Sequence, residues 1–414
     1  RYGMLGAWEA ETDFTFGNTT VTQDGGKFGA VRILYEDSRD AAYRALGVIS
    51  THLAHPLADA SVHGMDAHYL SAAGRWNVEG QVLYSNREDA PGGFGAFADV
   101  TYTPRQGLKH TLALTALDEH LNINDFGFQI RNDFREAWYR MEWLRSDLSL
   151  IRDFSIASSI RYQENGDGFR TDVSLGFEFY LNLNNLDRLE ISATHKPGQF
   201  DDRNSFGNGI FRTAGREHLS IEYQTNTAKR ASFSCEIEYS GELLGGRSIE
   251  FEGGVTWRVR DNLNLDLRAA QKRRNDWLLH QEDRNFTTFD ATQDQLRAPL
   301  EYFPSARHHF RMDLQWAGVR ALEDSFFLLD PDRAELLATS KPLGPVDDFS
   351  LSVLNFQFRY RWAIAPLSDL FIVYTKSDDR RVKLQGFHSL IRDSWEAPLQ
   401  DQLVLKLRYR FGDV

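Results

Sequence analysis

Strict alternation of apolar and polar side chains recurs along this chain and is clearest near its C-terminus, where residues 403–411 read LVLKLRYRF. The apolar set in this stretch is Leu403, Leu405, Leu407, Tyr409 and Phe411. The cations between them are Lys406, Arg408 and Arg410. Because a β-strand points successive side chains to opposite faces, the pattern predicts a strand with one apolar and one cationic face.

Similar alternation fills the chain from end to end. The stretches that show it best are 75–85, 154–162, 171–181, 233–239, 249–259, 262–269, 309–316 and 355–364. Turn sequences such as ENGDG and GELLGG separate them, and no comparably long stretch repeats with the period of a helix. The sequence therefore predicts an all-β chain of about 16 to 20 antiparallel strands, with about 18 as the best estimate.

Strand length and aromatic placement favour a membrane barrel over a soluble β-sandwich. Strands of roughly 9–11 residues match the span of a tilted strand through a bilayer. Aromatic residues fall at predicted strand ends, as in an interfacial girdle: Tyr84, Tyr102, Tyr162, Tyr239, Trp257, Trp316, Trp362, Tyr409 and Phe411. A sandwich of this length needs domain boundaries, yet no linker composition is present. We therefore predict one transmembrane up-and-down β-barrel domain over residues 1–414, in the outer membrane of a bacterium.

Composition excludes several other classes. The net charge is −12, so the chain has no basic excess to neutralise a phosphate backbone, and we expect no nucleic-acid partner. The single cysteine, Cys235, cannot form an internal disulfide or a cysteine-rich metal site. No apolar run reaches the roughly 18 residues of a transmembrane helix. The expected partners are outer-membrane lipid and other outer-membrane or periplasmic proteins.

Residues 319–348 depart from the alternating pattern. Within them, Asp330 is suited to be an N-cap and Pro331 a first helical residue, so a short helix is expected over the sequence DPDRAELLA. We predict that 319–348 is a long loop on the outer side of the barrel. Such a loop would fold into the lumen or over it.

The polar positions of several strands carry charges that we expect to line the lumen. Four glutamates project from neighbouring strands: Glu236, Glu238, Glu250 and Glu252. The cations expected on the same face are Arg258, Arg268, Arg311, Arg359, Arg361, Lys406, Arg408 and Arg410. Two interpretations stay open, because these charges could line a water-filled pore with opposed acidic and basic walls or form ion pairs that crowd the lumen.

A second group of charges lies in the segment NDFGFQIRND. Asp125, Arg131 and Asp133 are close in sequence and could form a cation or ligand site at the barrel mouth. The alternative is structural, since Asn and Asp side chains commonly cap backbone groups in turns.

No motif points to a cofactor or a metal. His308 and His309 are adjacent on a predicted strand, so they point to opposite faces and cannot chelate one ion. His52, His55, His63 and His68 flank one predicted turn without a spacing typical of metal sites. We expect neither cofactor nor metal.

Three segments carry a resemblance to a known family. They are 62–70 with 80–85, then 122–143, and finally 355–375. They resemble the uncharacterised outer-membrane barrel domain found behind a family-9-like carbohydrate-binding module in bacteria. An Asn-Asp-x-Gly-Phe segment before an Arg-Asn-Asp triplet is matched from Asn124 to Asp133, and a late arginine-aromatic strand is matched from Arg359 to Thr375. The turn AIAPLSD departs from the Pro-Gly-Ser turn more usual there. The resemblance implies a membrane barrel and no established activity.

Three functions remain as hypotheses. The first is a pore for small solutes through the charged lumen. The second is a membrane-anchored scaffold subunit of an outer-membrane complex. An outer-membrane hydrolase is the least favoured, because no G-x-S-x-G nucleophile elbow is present, and we expect no enzymatic activity.

Overall fold

The computed structural model describes residues 1–16, 19–125, 127–146, 148–149, 151–341 and 347–411. Strands account for 71% of the chain and the described residues contain one α-helix, which confirms the all-β class. The strand pairs are antiparallel, as predicted. None of the helices in the described ranges is both apolar and long enough to cross a membrane.

Contacts divide the chain into two compact units. The first holds Arg1–Arg145 and Ile156–Phe177, and the second holds Ser146–Ser155 and Glu178–Val414. Strands of the first unit are β1 (Tyr2–Trp8), β2 (Thr12–Phe16), β3 (Thr19–Gln23), β4 (Lys27–Asp37), β5 (Tyr43–Ala54), β6 (Ala60–Leu70), β7 (Trp76–Arg87), β8 (Ala90–Arg105), β9 (Leu108–Leu117) and β10 (Phe134–Ser146), whose last residue falls in the second unit. A 3₁₀ turn spans Arg39–Ala41. Each unit contains part of β11 (Ile151–Glu164) and part of β12 (Arg170–Leu183).

The second unit contains the rest of the strands and the helix. Its elements are β13 (Arg188–Lys196), β14 (Gln199–Asp201), β15 (Phe211–Thr213), β16 (Arg216–Gln224), β17 (Ala231–Gly241), β18 (Arg247–Arg260), β19 (Leu263–His280), β20 (Asn285–Arg297), β21 (Leu300–Ser305), β22 (His308–Asp330), β23 (Glu335–Thr339), β24 (Phe349–Ala365), β25 (Ser368–Lys383), α1 (Phe387–Glu396) and β26 (Gln400–Arg408). The numbering exceeds the predicted strand count because short hairpins and a divided strand add to it.

In the first unit, register gathers apolar side chains on one face. One cross-strand row on β4 to β7 consists of Ile33, Val48, Met65 and Val82. All four are exposed, with Ile33 at 61% and Met65 at 60% of full accessibility. The opposite face carries charge, because Asp66 lies there and pairs with Arg32 at 2.6 Å and with His68 at 3.0 Å. The predicted division into an apolar and a polar face is therefore present.

The second unit repeats this division. Ile221, Ile237 and Phe251 stand directly opposite one another on β16, β17 and β18. Ile237 is 56% and Phe251 55% exposed. Their chain neighbours Glu236 and Glu250 point to the other side. We call the two sides of this sheet the apolar face and the charged face, and continuous register from β16 to β26 extends both.

One proline divides a strand of the second unit. β20 and β21 both lie between β19 and β22, so these four strands form a ring of pairings. The interruption falls at Pro299, which has no N–H to donate to a ladder. Its carbonyl still accepts from the Asp266 N–H at 3.0 Å, and Ala298 N–H donates to Leu314 at 2.8 Å. The break therefore removes few backbone hydrogen bonds from the sheet.

Helix α1 covers part of the apolar face. Leu390 is fully buried against Trp316 and Leu354. The Trp316 indole N–H donates to Ser352 Oγ at 3.0 Å, and that hydroxyl lies 2.7 Å from Ser394 Oγ on the helix. Trp316, expected in an exposed aromatic girdle, is thus buried at 8% exposure. That expectation was wrong because strand alternation cannot show which part of a face a helix covers.

At the other strand ends the aromatic side chains differ in exposure. Exposed aromatics there include Tyr162, Tyr239, Trp257, Trp362, Tyr409 and Phe411, whereas Tyr84 and Tyr102 are half-buried. Tyr102 stacks on Trp76 with ring centroids 4.3 Å apart. The aromatic residues at strand ends therefore mix exposed rings with rings that pack in cross-strand pairs.

Residues 319–348 are not a long loop, which corrects the prediction. Residues 319–330 continue β22, and β23 pairs with them, so that Leu329 stands opposite Leu336. The expected helix is absent from the described part of this segment, because Asp330 caps a tight turn by accepting from the N–H groups of Asp332 and Arg333. Residues 342–346 lie outside the described residues.

Apolar packing explains why this segment forms a hairpin. Leu329 is fully buried with Phe211, Leu278 and Phe286. Leu336 packs against the same cluster. Burying several large apolar side chains stabilises the strand extension by roughly 1.5–3 kcal/mol for each side chain. The hairpin of β22 and β23 therefore outcompetes a short helix.

An aspartate joins two neighbouring turns of the second unit by hydrogen bonds. Asp187, between β12 and β13, accepts from the Tyr223 hydroxyl at 2.7 Å and from the Asn226 N–H at 2.9 Å. Asn226 Nδ2 also donates to the Asn185 carbonyl at 2.9 Å. The Tyr223 hydroxyl, followed by the Asn226 N–H, holds the pKa of Asp187 below its usual range.

We predict that this carboxylate makes the stability of the fold fall in acid. A lowered folded-state pKa means that Asp187 stabilises the fold above its unfolded pKa of about 3.9, and that this contribution disappears as pH falls through the folded pKa. Asp187→Asn should lower the free energy of unfolding at pH 7 and flatten its decline below pH ~4. Denaturant unfolding at several pH values measures this. An Asp187→Asn variant that loses stability with acid as steeply as the wild type would contradict the assignment.

Candidate functional site

The candidate site is the charged face of the second unit. A ladder of four glutamates crosses it on consecutive strands, each directly opposite the next: Glu190, Glu222, Glu236 and Glu252. Neighbouring strands are about 4.8 Å apart, so these carboxylates repel one another unless they are compensated. The sequence identified Glu236 and Glu252. It missed Glu190 and Glu222, although both occupy polar positions of short alternating stretches, LEIS and LSIEY.

Among the described residues, direct contacts compensate only part of the ladder. Arg188 reaches Glu190 at 2.7 Å, and Arg268 approaches Glu252 at 3.8 Å. The Ser220 hydroxyl donates to Glu236 at 2.6 Å. The row therefore retains a negative character.

A lysine binds the other two predicted glutamates. Lys272 Nζ lies 3.2 Å from Glu238 and 3.0 Å from Glu250. All three side chains are less than one third exposed: 20% for Lys272, 25% for Glu238 and 21% for Glu250. Glu238 and Glu250 are direct cross-strand partners, and Glu250 also stands opposite Lys272. The register thus places one cation where two like charges meet.

A second ion pair lies next to this one. Arg274 donates to Glu242 through Nε at 2.8 Å and through Nη2 at 3.0 Å, which is the bidentate geometry that arginine favours. Its guanidinium carbon also lies 4.4 Å from the ring centroid of Trp277. The sequence expectations included neither Lys272 nor Arg274 among the charged-face residues. Both stand at period-two positions of β19, on the same face as the glutamates they contact.

The predicted cations gather on other strands of the same face. Arg311, Arg359, Arg361, Lys406 and Arg408 lie on β22, β24 and β26. Arg311 stands directly opposite Arg359. Arg361 and Lys406 are the two cross-strand partners of Phe371, one on each side of it. We call these five residues the basic cluster.

Three predicted cations, Arg258, Arg410 and Arg268, do not join them. Arg258 donates to the Thr227 carbonyl at 3.0 Å, at the turn between β16 and β17. Arg410 follows the end of β26, and its backbone N–H donates to Ser368 Oγ at 2.9 Å. Arg268 stands between the acidic and basic strands and pairs with Asp266 at 3.2 Å.

Asp125, Arg131 and Asp133 make separate structural contacts. Asp125 accepts from Arg87 at 3.0 Å. Asp133, at a positive φ of 56°, accepts from the Gly166 N–H at 3.0 Å. Arg131 lies with its guanidinium carbon 5.8 Å from the Phe134 ring centroid. In the structure the two carboxylates thus act as an ion-pair partner and a turn cap.

The histidines are also dispersed. His308 lies 2.7 Å from the Tyr360 hydroxyl, while His309 lies 2.9 Å from Glu301 on the opposite face. His63 contacts Ser50, and His68 contacts Asp66. Within the described ranges no group of three or more His, Cys, Asp or Glu side chains could hold a metal ion.

Comparison with protein families assigns the chain to one family. Residues 49–413 match the domain of unknown function DUF5916. The chain belongs to this family. No curated protein matches the DUF5916 chain. The family description assigns no activity, so the charged face has to be interpreted from its own geometry.

We predict that Lys272 offsets repulsion between Glu238 and Glu250. Lys272→Gln should lower the free energy of unfolding by about 1–3 kcal/mol, because it leaves two half-buried carboxylates side by side. Adding Glu250→Gln should recover part of that loss. Lys27→Gln, at an exposed position of β4, serves as the control and should change stability by less than about 0.5 kcal/mol. Equilibrium unfolding measures all four proteins. Equal stability of the Lys272→Gln variant and the wild type would contradict the assignment.

Proposed function

We propose that this DUF5916 chain is an integral outer-membrane β-barrel that forms a passage for small solutes. The observation that carries the proposal is the exposed apolar face, which recurs on consecutive strands of both units. Side chains such as Met65, Phe251 and Leu405 are 60%, 55% and 65% exposed. In water, each large apolar side chain left exposed forgoes roughly 1.5–3 kcal/mol of burial. Lipid hydrocarbon is the solvent that removes this penalty.

The backbone supports the same conclusion. A hydrocarbon environment requires every N–H and C=O group to be paired within the protein, which a closed antiparallel barrel achieves. The strands are long, antiparallel and mostly connected by short turns, as in up-and-down barrels. We propose that they close into such a barrel, with the apolar face towards lipid and the charged face towards the lumen.

Helix α1 suits a position at the edge of the membrane. On the apolar face beneath it lie polar side chains that hydrocarbon would not tolerate, among them Asp378 and Arg380, which pair at 2.9 Å. Arg380 also donates to the Ala397 carbonyl just beyond the helix. Trp395 is 42% exposed, and Lys376 Nζ lies 4.8 Å from its ring centroid. Tryptophan beside a lysine is typical of the water–lipid interface.

The charged face supports a water-filled lumen. Some of its ion pairs are accessible to solvent, since the paired side chains of Arg268 and Glu252 are 44% and 35% exposed. Glutamates concentrate on β13 to β18 and the basic cluster on β22 to β26. Charges lining a pathway select ions by sign. The passage is therefore proposed to have one acidic and one basic wall.

We predict stepwise currents when the purified chain is added to a planar lipid bilayer. Glu250→Gln should shift the reversal potential under a salt gradient towards anion preference, and Arg359→Gln should shift it towards cation preference. Glu282→Gln, in the exposed turn between β19 and β20, is the matched control for Glu250→Gln and should shift it least. A folded chain that inserts but carries no current would overturn the pore and favour the scaffold hypothesis.

A further inference from the structure

The basic cluster carries more positive charge than its carboxylate neighbours neutralise. Asp369 pairs with both Arg361, at 2.9 Å, and Arg408. Arg311 has Asp313 at 3.9 Å, the outer limit of an ion pair. Among the residues that the structure describes, no carboxylate lies within ion-pair distance of Arg359 or Lys406. These two cations are therefore available to another anion.

A cavity of about 410 Å³ lies among these side chains. Arg311, Arg359, Arg361 and Lys406 line it together with His309, Tyr360 and apolar side chains. The apolar part comes from Phe371, Val373 and Val404, which stand on β25 and β26 of the same face. The cavity thus combines an apolar floor with a cationic rim.

The position of the cavity defines what could occupy it. Register places its charged side chains on the charged face, whereas Ile372 and Leu405 point to the apolar face. An acyl chain of a surrounding lipid would lie on the apolar face, so the occupant has to arrive from water. A dissolved anion would pair with the cations of the rim and would reach the cavity from water.

We propose that this cavity binds a small organic anion, with a carboxylate held by Arg359 and Lys406 and an apolar body against Phe371. Arginine binds carboxylates through two parallel N–H···O bonds, which fixes the orientation of the ligand. The apolar floor then discriminates in favour of anions with a hydrophobic body. This proposal names a class of solute for the proposed pore. It rests on the proposed function, because the solute reaches the cavity from water in the lumen.

Benzoate tests the proposal directly, because it combines a carboxylate with an apolar ring. Benzoate is titrated into the purified full chain in detergent, and isothermal titration calorimetry should show saturable binding. Benzamide, which has nearly the same shape without the charge, and inorganic phosphate, which has charge without an apolar body, should each bind at least about tenfold more weakly. Equal binding of benzoate and benzamide would refute the role of the cations, and equal binding of benzoate and phosphate would refute the role of the apolar floor.

Substitutions locate the site. Arg359→Gln and Lys406→Gln should each weaken benzoate binding about fivefold to tenfold, and Phe371→Ala should weaken benzoate without changing phosphate. Arg260→Gln removes the same charge at the exposed end of β18 and should leave affinity unchanged. Both cations are exposed and no described carboxylate pairs with them, so their loss should not impair folding, which circular dichroism checks. If Arg260→Gln weakens binding as much as Arg359→Gln, the effect reflects net charge and the site is disproved.

This experiment separates the site from the pore. Calorimetry reports binding whether or not the chain conducts. Saturable, cation-dependent binding of benzoate to a chain that carries no current would uphold the site and overturn the pore. Currents without benzoate binding would uphold the pore and overturn the site.

Discussion

Antiparallel register decides which side chains share a face, and the rest of the molecule depends on it. Glu250 stands opposite Lys272 while its neighbour Phe251 stands opposite Gln271. Because side chains alternate with a period of two, a slip of one residue would move the carboxylates of the charged face to the apolar face and the large side chains of the apolar face to the charged face. The cost of burying those charges or leaving them unpaired holds the register in place.

The same register explains how charge is distributed. It brings four glutamates into one row and places Lys272 where two further carboxylates meet. On β22 to β26 it assembles cations with few counter-charges. A soluble protein could tolerate such a face in water, but would normally bury its opposite face in a core. Here the opposite face is exposed and apolar. A membrane environment would explain why one face is charged and the other is apolar and exposed.

Long alternating stretches made the strands predictable from the sequence. Residues 249–259, for example, were assigned correctly and form part of β18. Short stretches such as 188–196 were missed, because Ser192, Ala193 and Thr194 blur the contrast between the two faces. Residues 319–330 were assigned to a loop because the run of Phe326 to Leu329 breaks the alternation, and only the packing of Leu329 explains that run.

The candidate site was predictable only in part. Period-two spacing put Glu236, Glu238, Glu250 and Glu252 on one face, and the structure places them there. The spacing could not show that Lys272 joins two of them, because that contact depends on the register between β17, β18 and β19. Nor could it show that Asp125 pairs with Arg87, which lies 38 residues away. Contacts between distant strands require the fold.

Scanning with spin labels tests most directly whether lipid contacts the apolar face. Single cysteines at positions 249 to 252, in a Cys235→Ser background, would each carry a nitroxide in the chain reconstituted into lipid vesicles. If lipid contacts this face, labels at Ile249 and Phe251 will collide mainly with oxygen, which concentrates in hydrocarbon. Labels at Glu250 and Glu252 should collide mainly with a water-soluble nickel chelate. Accessibility that does not alternate, or labels at 249 and 251 that neither reagent reaches, would contradict it.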